Sequence, residues 1–167
     1  MVDVQSTVAG APPAPRVRRL LSRATKAIPA GVNARTAAGS RASEVSVLFC
    51  ADARMRTLNR RYRGKDKTTD VLAFPAQPGA PSGSGSFLGD IVISVPYAAR
   101  EARRREDTRS REIDRLLVHG FLHLLGYDHE TDEGQMDALE GRLRRRLGLA
   151  SDSRTAKTTP ARAGRRR

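Results

Sequence analysis

Aromatic side chains are scarce in this 167-residue chain: four Phe, three Tyr and no Trp. A surface that grips single strands by stacking bases needs aromatic platforms. Any polyanion bound here is therefore expected to be held mainly by its backbone, with weak base preference and steep salt dependence. Cysteine is scarcer still. Cys50 stands alone, which excludes an internal disulfide and fits a reducing compartment; at the end of an apolar stretch it reads as a small core residue. No apolar run approaches the roughly 18 residues a membrane span requires. The N-terminal segment carries Asp3 and no hydrophobic stretch, unlike a secretory leader. These absences predict a soluble cytoplasmic protein with no membrane partner.

Acidic residues are also in deficit, 18 against 31 Lys and Arg, for a formal net charge of +13. Residues 151–167 hold six basic side chains against Asp152, so +8 remains on the first 150 residues. A body of that sign concentrates polyanions around itself, and nucleic acid is the simplest partner it implies.

The hydrophobic pattern predicts an α/β (α+β) fold: one domain, with a mixed sheet of about four strands and about five helices. Residues 1–15 read as an N-terminal strand around Val2 and Val4 followed by an Ala/Pro linker. The domain proper spans 16–149, and 150–167 read as a disordered basic tail. Helix signals follow Pro15, then Asp52 as N-cap, then Pro96, then Ser110 to Leu125, then Asp132 to Leu147. Strands are expected at 45–49, 71–74 and 88–95. The last two are spaced for a hairpin across the loop 76–86, and 29–43 reads as a further loop.

All three histidines fall between His119 and His129. On a helix, His119 and His123 stand one turn apart on the same face. Gly126 can adopt a left-handed conformation and turn the chain back, which lets His129 approach as a third ligand. Three neutral imidazoles suit one Zn2+, with nickel, copper and iron also compatible by ligand type, and leave a coordination position for water. Zinc proteases with this spacing carry glutamate directly after the first histidine. Gly120 stands there instead, which disfavours a peptidase. Asp90 and Asp128 are candidates for orienting a ligand by accepting its second ring N–H.

Residues 54–67 carry seven basic side chains against Asp66. Arg54, Arg56, Arg60 and Arg61 read as a solvated helix face. Arg63 and Lys65 flank Gly64 at a turn and are candidates for phosphate contact, since the arginine fork can hold two oxygens at once. The run at 103–105 is balanced by Glu101, Glu106 and Asp107 and reads as surface.

Taken together, Met55-Arg-Thr-Leu-Asn59, Tyr62-Arg-Gly-Lys-Asp66, Thr69-Asp-Val-Leu-Ala-Phe-Pro75, Leu88-Gly-Asp-Ile-Val92 and His119 through His129 resemble the YbeY family of bacterial endoribonucleases. The likeness covers about residues 44–149, and Val2-Asp-Val-Gln5 resembles the family's first strand. Ala73 replaces the family's usual Ser, and the basic tail runs past its ordinary end. The resemblance implies an α/β fold, one zinc on the three histidines and a functional arginine at Arg63. It also implies a single-strand-specific endoribonuclease that matures the 3′ end of 16S rRNA and serves late-stage 70S ribosome quality control. Its partners would be single-stranded RNA, rRNA precursor and the ribosome. The expected chemistry is metal-assisted hydrolysis of a phosphodiester whose oxygens Arg63 and Lys65 hold. The rivals are a zinc metalloprotease and a non-catalytic, zinc-stabilised RNA-binding assembly factor.

Overall fold

The computed structural model describes residues 1–28, 43–77, 86–128 and 132–149. Residues 29–42, 78–85, 129–131 (which include His129) and 150–167 lie outside the described residues, and with them most of the segments expected as loops and as a basic tail. Four strands, β1 (Val2–Ser6), β2 (Ser43–Cys50), β3 (Val71–Pro75) and β4 (Ser86–Ser94), form one sheet in the order β1-β2-β4-β3. β1 and β4 each pair with β2 in parallel, whereas β3 runs antiparallel to β4. The mixed sheet and the hairpin are thus present. β1, the N-terminal strand expected around Val2 and Val4, is an edge strand paired with β2.

The described residues hold five helices, α1 (Ala14–Ala27), α2 (Asp52–Arg63), α3 (Val95–Arg104), α4 (Arg109–Leu124) and α5 (Gln135–Leu147); the first four touch the sheet, and α5 packs on α1 and α4. Alternation along the strands splits the apolar residues between two faces. Val45, Val47, Phe49, Ile91 and Ile93 join the main core with α1, α4 and α5. Leu72, Val92 and Cys50 face the other way, where Met55 of α2 covers them. Cys50 is fully buried, as its sequence context implies, and burial pushes its thiol up to about 11.

Two helix starts differ from expectation. Ala51, not Asp52, is the N-cap of α2; Asp52 is already helical and instead binds outward to Ser94 Oγ at 2.5 Å and Arg100 at 2.7 Å. Asp132 precedes α5 rather than belonging to it. Its carboxylate accepts the N–H of Gly134 at 2.8 Å and of Met136 at 2.9 Å, which satisfies donors a helix start leaves open. Helix α4 starts cleanly, with the Thr108 hydroxyl accepting the N–H of Arg111.

Candidate active site

Helix α4 lies against the sheet with Gly120 at the contact. A Cβ there would stand 2.9 Å from Ile91 Cγ2 and 3.4 Å from Val71 Cγ2. The missing side chain lets the helix approach β3 and β4 closely, and it leaves no space for a glutamate. The sequence departure from the zinc proteases thus has a packing cause.

The helix then ends in two nested bonds. Gly126 N–H donates to His123 O at 3.0 Å and Tyr127 N–H to Leu122 O at 3.2 Å, with Gly126 at φ +95°. This left-handed glycine stop turns the chain back toward Asp128, as the spacing predicts.

His119 and His123 meet on one face of α4, their Nε2 atoms 3.2 Å apart. Two nitrogens bound to one zinc at about 2.05 Å and a tetrahedral angle would stand about 3.3 Å apart. The pair therefore fits a shared ion. His129 lies outside the described residues, and among those described no group of three potential ligands gathers.

The second nitrogen of His119 is also engaged. Nδ1 lies 3.0 Å from Glu140 Oε2, on α5. Burial works to raise the Glu140 pKa, but His119 and Arg144 outweigh it and hold the carboxyl below its ordinary range. A carboxylate only accepts, so Nδ1 carries the proton and Nε2 presents its lone pair. Glu140 in turn pairs with Arg144. This is the carboxylate support that metal-binding histidines usually have.

A cleft of about 590 Å³ opens beside the imidazoles. Its walls are β3 (Val71, Leu72, Ala73, Pro75), α4 with its turn (His119, Gly120, His123, Gly126, Tyr127, Asp128), and Asp70 and Arg63. Since β3 is an edge strand, the cleft follows the sheet's open side. Arg63, from the helix on one face, thereby meets histidines from the helix on the other.

The turn after α2, which follows Arg63, is fixed by backbone and side-chain bonds. Gly64 caps the helix at φ 67°. Buried Asn59 donates from Nδ2 to Lys67 O at 2.8 Å, and Arg56 binds Asp66 with both prongs, at 2.9 and 2.8 Å.

Of the sequence candidates, Arg63, His119, His123 and Asp128 share this cleft. Lys65 is exposed and is not part of its wall. Asp90 has the strand parity of Val92, which packs toward α2, so it sits on the sheet face opposite α4 and cannot orient an α4 histidine. The carboxylate beside a ring nitrogen of His119 is that of Glu140. Asp70 and Tyr127 are further wall residues that the motif spacing did not single out.

The class these features define is a mixed α/β domain with an imidazole pair, backed by a carboxylate, lining one edge-strand cleft with an arginine. The particular family follows from comparison with known proteins. The family model described as Endoribonuclease YbeY matches residues 13–148. A protein named Endoribonuclease YbeY from an Anaeromyxobacter species is 47% identical over 134 residues, covering 79% of this chain and 65% of that protein. The protein of the same name from Anaeromyxobacter dehalogenans is 43% identical over 169 residues, covering 88% of this chain and 83% of its own length. The chain therefore spans a little under two thirds of the first relative and most of the second. The solution structure of a Thermotoga maritima protein shares the fold, with TM-score 0.58 and 22% identity over 98% of this chain and 100% of that one. The chain belongs to the YbeY endoribonuclease family.

Proposed function

We propose that the protein is a metal-dependent, single-strand-specific endoribonuclease of the cytoplasm, acting on the 3′ end of 16S rRNA and in late-stage 70S ribosome quality control. The observation that carries this reading is the 3.2 Å approach of His119 and His123 Nε2, supported by Glu140, in one cleft with Arg63. Family membership and the basic surface support it, and no helix among the described residues is long and apolar enough to cross a membrane.

His119 and His123 would hold the ion, with His129 as the third ligand. A bound zinc supplies Lewis acidity and lowers the pKa of water to about 7. The protein's own part is positional. Glu140 keeps the His119 proton on Nδ1, so Nε2 remains a ligand. Arg63 presents two parallel donors to the non-bridging oxygens of the scissile phosphodiester and offsets charge that grows on them during cleavage. Asp128, on the turn leading to His129, stands as a group to orient that ligand. The packing of Gly120 argues against the protease rival, because the usual base cannot be accommodated there.

Cleavage of single-stranded RNA by the zinc-loaded protein and by Arg63→Ala tests the proposal. Loss of one oxyanion donor lowers turnover about 100-fold or more, with zinc content unchanged and duplex RNA left intact by both proteins. A wild-type chain that leaves single-stranded RNA uncut would overturn it.

A further inference from the structure

Apart from Met1, Tyr62 is the only large hydrophobic residue among those described that stands exposed, at 56%. A lone exposed aromatic is ordinary on a protein surface. Three features set this one apart.

The first is position. Tyr62 directly precedes Arg63 in the last turn of α2, and it rests on Phe74, whose neighbours Ala73 and Pro75 form the cleft wall. The second is fixed orientation. The two rings meet at 62° with centroids 5.0 Å apart, which is the edge-to-face arrangement aromatic pairs favour. The third is charge. Arg60, Arg61, Arg63, Lys65 and Lys67 surround the ring in sequence, and the one acidic residue among them, Asp66, is engaged by Arg56. An exposed, oriented aromatic ring in a cationic field beside a phosphate-binding arginine matches a nucleotide, which carries its flat base and its charge on adjoining groups.

We propose that Tyr62, steadied by Phe74, is the stacking platform for one base of the RNA strand whose phosphate Arg63 holds. This rests on the endoribonuclease reading and adds a base-binding subsite to it. The Arg61 guanidinium lies 5.4 Å from the centre of the Tyr62 ring. A stacked base is worth roughly twice or more what an exposed arginine–aromatic contact contributes. The base therefore wins the ring, and Arg61 is freed for the strand's phosphates. Stacking tolerates any base, so the subsite sets the register of the strand rather than reading its sequence.

The test is fluorescence anisotropy of the zinc-loaded protein with a short single-stranded RNA protected from cleavage by 2′-O-methyl groups. Tyr62→Ala is expected to weaken binding about tenfold, while Tyr62→Phe and Tyr62→Trp stay within about twofold of wild type. An abasic ribose moved along the RNA should produce the same loss at one position with wild type, and no further loss there with Tyr62→Ala. Wild-type affinity in Tyr62→Ala overturns the subsite, as do abasic losses that are equal in both proteins, the pattern expected if Tyr62 instead faces a protein partner. The two readings fail separately. A wild-type protein that neither binds nor cuts RNA removes both, whereas one that cuts RNA and depends on Arg63 but not on Tyr62 removes the platform alone.

Discussion

Glu140 stands four residues after Met136 and three before Leu143, on the buried stripe of α5. A glutamate among core positions is unusual, because burying a carboxylate is costly without partners. That irregularity was the sequence's pointer to the support for His119. Motif spacing does not mark it, because Glu140 lies outside the histidine cluster. Strand parity, which places Asp90 on the wrong face, is a property of pairing and not of spacing. Removing a carboxylate that supports a metal-bound histidine typically lowers metal affinity 10- to 100-fold. Glu140→Gln, which keeps the side chain's volume, is therefore predicted to weaken zinc binding by about that factor in competition with a chromophoric chelator. Unchanged affinity would show that the His119–Glu140 contact has no part in holding an ion.

At the level of elements, α4 is where sequence and structure agree most closely. Its apolar stripe, the four-residue step between histidines and the glycine stop are all periodic features, and periodicity survives folding. The fit of Gly120 against Ile91 is not periodic. It depends on how near the helix comes to the sheet, so the sequence showed only that a glutamate was missing and not why. Gly120→Ala is predicted to destabilise the fold by about 1–3 kcal/mol in urea unfolding, the usual cost of overpacking a tight contact. A stability equal to wild type would mean that the contact is loose. The turn after α2 was legible in part. Gly64 marked its position, and Arg56 is exposed, as a solvated helix face implies, while also making two hydrogen bonds to Asp66 that spacing alone does not reveal. Tyr62, exposed and set edge-to-face on Phe74, is the one ring among the described residues that the proposed base subsite would add to a mainly backbone grip.

Across the whole molecule, ion pairs tie the helices together, and their protonation sets the acid limit of stability. Burial opposes the ionised form of Asp52, yet Arg100 and Ser94 outweigh it and hold its pKa below the ordinary value. At Asp107 burial is likewise outweighed, by the Thr108 N–H and Arg115. Groups with a lowered folded pKa contribute stability that is complete above their unfolded value, about 3.9 for aspartate, and is lost as pH falls through that range. Asp114 acts with the opposite sign, since burial raises its pKa and Arg16 offsets this only in part. The melting temperature should fall between about pH 5 and pH 3, and less steeply in Asp52→Asn. An equal slope in that variant would remove Asp52 from the account.

The fold class, the hairpin and the histidine face were legible because each follows from local pattern. The cleft was not, because it joins α2 and α4 around the β3 edge, and only the strand order brings them together. The most direct test is to strip the protein with a chelator and restore zinc stepwise, following cleavage of single-stranded RNA in wild type and His123→Ala. Cutting is expected to stop on stripping, to return in full at one zinc per chain, and not to return in His123→Ala. Cutting that persists in the stripped protein, or returns equally in the variant, would contradict this expectation.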